Sequence, residues 1–287
     1  VPSLGFLPDS VRQLAANLPL RLDQLGGVFL GCLIIFALGV ADDRFGLPAK
    51  SRLVVQFLAT VPVIATGTYA KLFLPDPLAW VVTSLWIVTL TNSFNFLDNM
   101  NGLTSGIAVI ISIVLAVNSA LAGEYYMTIV FAMLAGAGYG FLFHNFPKAS
   151  IFLGDSGSTH LGFALGALSV LGTYYEAGTA SRWPVLMPLV VMGVPLFDTA
   201  SVMWIRWRSG KPLMEGDKNH ISHRLVDLGM SRTEAVVFIY GMTLCVGLAA
   251  VALRPLDWRY GLAQAAAIAL MFLGIYRMER VSRRPKN

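Results

Sequence analysis

LAWVVTSLWIVTL (78–90) runs without a break into TNSFNFLDNMNGL (91–103). The first stretch reads as the body of a membrane helix. The second places four asparagines and one aspartate between positions 92 and 101. Polar groups at membrane depth are costly and by default mark a functional site. What this one is for depends on where the chain's other polar clusters lie.

The 287 residues are 56% hydrophobic and 13% charged. A soluble domain carries about 25% charged residues, so this chain reads as a polytopic membrane protein. Apolar stretches of crossing length fall at 25–41, 52–70, 78–96, 103–121, 126–144, 157–175, 184–205, 234–253 and 258–276. The expected fold is therefore all-α, a transmembrane helix bundle of about nine spans forming one integral membrane domain over 1–287. Cys32 and Cys245 both sit in apolar runs and read as small core hydrophobes. The segment before the first span is polar and mixed and lacks a secretory signal pattern, so the chain is expected to begin inside something longer.

Connectors between spans alternate between two sides. Fifteen of the 21 Lys and Arg fall on one side, which the positive-inside rule makes cytoplasmic. The C-terminal RMERVSRRPKN then lies inside the cell. The net charge of +5 follows from those basic loops and does not point to nucleic acid. Four polar clusters share the cytoplasmic side: ADDRFGLPAK (41–50), NSFNFLDNMNGL (92–103), HNFPKASIFLGDSGS (144–158) and GDKNHISHR (216–224). Their common side, across nearly 200 residues, suggests one site at the cytoplasmic face built from several helix ends.

Each cluster has a chemical reading and a bland one. Asp42 and Asp43 can bind a divalent cation or divide into ligand and base; charged loop pairs are also common on surfaces. Asn92, Asn95 and Asn99 lie on one helical face and can read a base or sugar; asparagine also joins helices within membranes. Asp155 stands between two glycines at the start of a span, where free N–H groups could face an anion; an ordinary helix cap is the alternative. His220, His223 and Arg224 suit anionic phosphates better than zinc, since no further ligands follow. Asp198 and His160 lie inside apolar spans, and Asp198 either lines the site or makes a buried hydrogen bond.

These motifs, in this order, resemble the polyprenyl-phosphate N-acetylhexosamine-1-phosphate transferases, the glycosyltransferase 4 family. The resemblance covers roughly residues 25–230. HISHRL is similar to the H-x-H-H-R form of the undecaprenyl-phosphate N-acetylglucosamine-1-phosphate transferase branch. It implies transfer of a sugar-1-phosphate from a UDP-N-acetylhexosamine to a polyprenyl phosphate, with release of UMP, in the plasma (inner) membrane. By the same resemblance, Asp155 matches the Mg2+ aspartate, and Asp42 and Asp43 the acidic pair proposed to include the group that deprotonates the lipid phosphate, with direct attack and an enzyme-linked intermediate both open. Lys50 matches a basic position near that phosphate. Asn145 and Phe152 match positions that hold the uracil, the Phe by stacking. Asp98 matches a nucleoside-site acid, and His220, His223 and Arg224 the loop that binds donor phosphate and sugar. A homodimer is also implied.

This chain departs from the family's D-G-x-D-G, reading Asp98-Asn99-Met100-Asn101-Gly102. An amide replaces the second acid, and Asn101 keeps the capacity to pair with a uracil edge. The family's first two helices, with their basic loop, are expected to be missing. Two rivals stay open: a transporter, and a degenerate relative that binds lipid-linked sugar without turning it over.

Overall fold

The structure, a computed structural model, describes residues 9–70, 74–172, 187–212 and 219–252. Among these residues all regular structure is helical: α1 (Asp9–Phe45), α2 (Ala49–Ala65), α3 (Asp76–Leu97), α4 (Leu103–Leu121), α5 (Tyr125–Asn145), α6 (Gly154–Leu171), α7 (Met187–Val191), α8 (Gly193–Arg208), α9 (Ile221–Asp227) and α10 (Arg232–Ala252).

Local signals account for most boundaries. α3 starts behind Pro75, with Asp76 in its first turn, where a negative charge suits the helix dipole. α4 begins after Gly102, whose φ of 75° is a left-handed turn that glycine tolerates. Ser231 and Glu234 form a reciprocal capping box at the head of α10, with bonds of 2.7 and 3.2 Å.

Five helical segments among the described residues are long and apolar enough to cross a membrane: Arg21–Phe45, Asp76–Leu97, Leu103–Leu121, Tyr125–Asn145 and Arg232–Val251. The expected span at 52–70 is the 17-residue α2. The expected span at 184–205 is divided into α7 and α8 by a turn at Met192, between Pro188 and Pro195. The expected span at 258–276 lies outside the described residues.

The bundle is apolar on its outside as well as its inside. Phe29, Leu33, Leu58, Leu85, Met133 and Leu248 are exposed, as lipid contact requires and water would penalise. α6 packs between α1 and α3, and α4 between α5 and α10. Phe94, Ile107, Phe131 and Phe163 are fully buried there. Polar groups join the helices: Trp86 Nε1 donates to Ser169 Oγ (3.1 Å), and Thr60 meets Ser84 (3.0 Å). Cys32 is buried as expected, whereas Cys245 is exposed on α10 and is not a core residue.

The two ends of the bundle differ. At one, Arg21 near the start of the apolar part of α1 donates to Glu124 and to the Leu171 carbonyl at the end of α6, both at 3.2 Å. At the other, the C-terminal ends of α1, α3 and α5 meet the N-terminal ends of α2, α4 and α6. That second end holds three of the polar clusters and, of the fourth, the described residues 219–224.

Candidate active site

Asp42 and Asp43 close α1, and each carboxylate is bonded to a different neighbour. Asp42 is buried; its Oδ1 accepts the Leu47 N–H (2.7 Å) and its Oδ2 accepts Arg52 Nη1 (2.5 Å). Asp43 is more exposed. Its Oδ1 accepts the Asp155 N–H (2.7 Å) and its Oδ2 the Ser156 N–H (3.1 Å). The free N–H groups expected at the head of α6 are thus partly filled by a carboxylate of the chain itself, a favourable charge at a helix N-terminus. Neither Asp155 nor Ser156 caps the helix.

Two glycines make this contact possible. Gly154 has φ 67°, and a Cβ there would stand 2.9 Å from Asp43 Oδ2. Gly39 lies where α1 crosses the head of α6, and a Cβ on it would come within 2.3 Å of Ser156 Cα.

Asp155 is held from a third element. Asn95 Nδ2 donates to Asp155 Oδ1 (2.7 Å) and to Ser158 Oγ (3.1 Å). Arg52 Nη1 lies 3.6 Å from Asp155 Oδ2, so one guanidinium serves Asp42 and Asp155. The Asp155 carboxyl is pushed above the usual carboxylate range by burial, against the opposing Asn95 bond and with the Asp42 and Asp43 charges adding. Asp98, half-buried just past the end of α3, is pushed up to about 6, mainly by burial and further by Asp155 and Asp43.

The other candidates divide between this centre and its supports. Asn92, one turn below Asn95, exchanges hydrogen bonds with buried Gln56 of α2 (2.7 and 3.4 Å) and bonds the Val88 carbonyl. Asn145 is buried; its Oδ1 accepts the Gly102 N–H (2.8 Å) and Ser105 Oγ (3.2 Å), and its Nδ2 donates to the Ile151 carbonyl (2.9 Å). Its amide therefore fixes the loop that carries Phe152. Phe152 is 76% exposed. Asn101 is exposed, with Nδ2 3.4 Å from the Pro147 carbonyl. Lys50 is exposed at the head of α2.

The histidine segment, expected as a loop, caps and enters the short helix α9. His220 is the residue before its first turn, and His223 and Arg224 lie on it. The segment is tied to α3 by Ser222 Oγ, which donates to Asn99 Oδ1 (2.6 Å). It is tied to α8 by Arg224 Nη2, which donates to Ser201 Oγ (2.9 Å), and by two contacts to buried Asp198. Asp198 thus makes the buried bonds that were one of its two readings.

Sequence reading places Arg52 with Lys50 one to two turns beyond the acidic pair without giving it a role, and does not single out Gly39. Arg52 sits in the first turn of α2, where a cation opposes the helix dipole. A basic residue there signals an acidic partner, and Asp42 and Asp155 are that partner. Gly39 gives no comparable signal, because its role exists only against Ser156.

Among the described residues no group of three or more His, Cys, Asp and Glu forms a metal cage. The arrangement instead offers carboxylates at a mouth, an exposed aromatic ring, and a basic segment beside them. It can hold a cation that takes further ligands from a substrate's phosphates.

The model of Glycosyl transferase family 4 matches residues 25–173. A probable undecaprenyl-phosphate N-acetylglucosaminyl 1-phosphate transferase of Bacillus subtilis is 32% identical over 240 residues, covering 80% of this chain and 66% of that protein. A decaprenyl-phosphate N-acetylglucosaminephosphotransferase of Mycolicibacterium smegmatis is 33% identical over 244 residues, covering 76% and 59%. An undecaprenyl-phosphate alpha-N-acetylglucosaminyl 1-phosphate transferase of Yersinia pestis is 28% identical over 231 residues, covering 74% and 61%. The chain thus spans between 59% and 66% of the length of these relatives.

Proposed function

Because the chain belongs to glycosyl transferase family 4, we propose that it transfers a sugar-1-phosphate from a UDP-N-acetylhexosamine to a polyprenyl phosphate and releases UMP. The relatives' names give N-acetylglucosamine as the sugar and undecaprenyl or decaprenyl phosphate as the lipid; UDP-N-acetylglucosamine and undecaprenyl phosphate are the pair of this reading. This is the first membrane step of a cell-envelope polysaccharide. The site faces the cytoplasm in a single plasma-membrane domain of about nine spans, and the working form is a homodimer.

The observation that carries the proposal is the clasp between Asp43 and the Asp155–Ser156 turn, with Asn95 on the same aspartate. It gathers three of the four polar clusters into one acidic mouth. In the reaction an oxygen of the lipid phosphate attacks the β-phosphorus of the donor. The bond from the β-phosphorus to the oxygen bridging it to the α-phosphate breaks, and UMP leaves carrying that bridging oxygen. Both oxygens of Asp42 and both of Asp43 are bonded within the protein. Such bonds weaken a carboxylate as a base and as a nucleophile alike; Asp43, the more exposed of the two, is in this reading the one that takes a proton from the lipid phosphate in a direct attack.

The residues fit magnesium. Asp42, Asp43, Asp98 and Asp155 gather at one end of the bundle, where burial chiefly, and neighbouring Asp charges in addition, raise the Asp155 and Asp98 carboxyls; magnesium is commonly held by one or two carboxylates plus substrate phosphates. Asp155 would hold it, with Asn95 keeping that carboxylate in place. When bound, it neutralises the donor diphosphate as charge shifts to the leaving UMP. Lys50 and Arg52 attract the acceptor's phosphate, Phe152 offers its face to the uracil, Asp98 and Asn101 offer hydrogen bonds to the nucleoside, and His220, His223 and Arg224 take the donor's sugar-phosphate.

Purified protein given UDP-N-acetylglucosamine, undecaprenyl phosphate and magnesium should release UMP and form a lipid-linked sugar diphosphate. Sugar flux into vesicles without UMP release would overturn the proposal in favour of transport. Donor binding without either would mark a non-catalytic relative.

A further inference from the structure

Asp198 lies on α8, inside a helix, with no exposed surface. Its Oδ1 accepts the Ile221 N–H at 2.7 Å, and its Oδ2 stands 2.7 Å from His220 Nδ1. His220 is itself buried, with its ring 6.4 Å from that of Phe96 at the end of α3. An ionised carboxylate has only acceptors. Paired with such a carboxylate, the imidazole carries a proton on Nδ1 and turns Nε2, its opposite edge, away from Asp198.

A cap for α9 alone would need only Oδ1. The second oxygen fixes the tautomer and rotation of a ring, and a buried carboxylate is a costly way to do so unless the ring's free nitrogen has a task. We propose that Asp198 is a positioning residue: it holds His220 with Nδ1 protonated so that Nε2 is presented to the sugar-phosphate of the donor. This rests on the functional reading above for the identity of that donor. The Asp198–His220 arrangement itself does not depend on it.

The test uses Asp198→Asn. Its carbonyl oxygen can keep the Ile221 N–H, while its NH2 group meets Nδ1 and forces the proton to Nε2. The 15N shifts of the His220 ring, identified by their loss in His220→Ala, should show Nδ1 protonated in the wild type and unprotonated in Asp198→Asn. The wild-type measurement decides the point even where the variant fails to fold. kcat/KM for the nucleotide sugar should fall about 10- to 100-fold, with the KM for lipid phosphate unchanged. Asp198→Asn combined with His220→Ala should be no worse than His220→Ala alone. A wild-type ring with Nδ1 unprotonated, or losses that add in the double variant, would overturn the proposal. Absence of UMP release by the wild type would instead defeat the functional reading, and the ring shifts would still decide the positioning role.

Discussion

Asp43 and Asp155 are joined by a 2.7 Å bond from the Asp155 backbone N–H to Asp43 Oδ1, across 112 residues of sequence. The bond is backbone to side chain, so it leaves the Asp155 carboxylate available. Asp43 thereby sets the position of Asp155, the residue proposed to hold the cation. Asp42, its neighbour in sequence, turns to Leu47 and Arg52 instead. The adjacent acids therefore have different work, one fastening α1 to α6 and the other fastening α1 to α2.

Asp43→Ala should cost stability as well as activity. It removes an acceptor from two N–H groups at the head of α6, a loss comparable to deleting a helix cap, about 0.5–2 kcal/mol. Asp43→Asn keeps one acceptor and should unfold between the wild type and Asp43→Ala. Thermal unfolding in detergent, followed by tryptophan fluorescence, measures this. Identical unfolding of all three would show that the clasp adds nothing to stability.

Asp155→Asn should leave the fold intact and abolish turnover. The amide oxygen can still accept from Asn95, and a neutral group relieves the crowding of charge with Asp42 and Asp43. UMP release should fall by at least about 100-fold, as when one electrostatic stabiliser of a transition state is lost. Magnesium at about 100 times its Kd should stabilise the wild type by about 2.7 kcal/mol and the variant far less. Equal magnesium stabilisation of both would place the cation elsewhere.

Asp98 predicts a pH dependence in metal-free protein. Its carboxyl is raised from 3.8 to about 6, so the folded state binds that proton more tightly than the unfolded state does. The resulting stabilisation is fully present below the unfolded value and is lost as pH rises through about 6. The loss by pH 7.5 is on the order of 3 kcal/mol at most. Asp98→Asn should flatten that fall, and melting temperatures of wild type and variant from pH 5 to 7.5 would show it. Parallel pH profiles would count against Asp98 as the source.

The long spans were the most legible part of the chain. The expected 78–96, 103–121 and 126–144 compare with Asp76–Leu97, Leu103–Leu121 and Tyr125–Asn145. Continuous apolar runs ended by Pro75, Gly102 and Gly123 leave little freedom of placement. The break between α7 and α8 was less legible, because Pro188 and Pro195 allow either a kinked span or two pieces. α9 has 7 residues and no stability of its own; Asp198, Asn99 and Ser201 hold it, and such tertiary bonds leave no local mark. In the site, residue types were readable and pairings were not. Asn92 and Asn95 share a face and a chemistry, yet one meets Gln56 and the other Asp155.

Phe152 should matter for the nucleotide and not for the fold. An aromatic ring this exposed contributes little to packing, while stacking on a base contributes about 1–3 kcal/mol. Phe152→Ala should raise the KM for the UDP-sugar about 5- to 150-fold on that basis, with melting temperature and lipid-phosphate KM unchanged. Phe152→Trp should retain most of the affinity. A donor KM unaffected by Phe152→Ala would remove the ring from the nucleotide site.

Gly39 tests whether the close approach of α1 and α6 is a requirement of the chemistry. The atoms that a Cβ there would meet are backbone: Ser156 Cα at 2.3 Å, Ser156 N at 2.7 Å and the Asp155 carbonyl carbon at 3.0 Å. A side-chain end could swing aside, but these atoms belong to the turn that Asp43 and Asn95 hold. Gly39→Ala must therefore separate the two helix ends or stretch the Asp43 bonds. Alanine is also the better helix former by about 1 kcal/mol, which partly offsets the clash in overall stability. The expected result is a folded protein with a small change in melting temperature and a fall in kcat of about 100-fold, the cost of a misplacement near 1 Å. Because Gly39 carries no functional group, such a loss can come only through the position of Asp155 and its neighbours. Wild-type turnover in Gly39→Ala would mean that the α1–α6 spacing is not part of the catalytic geometry.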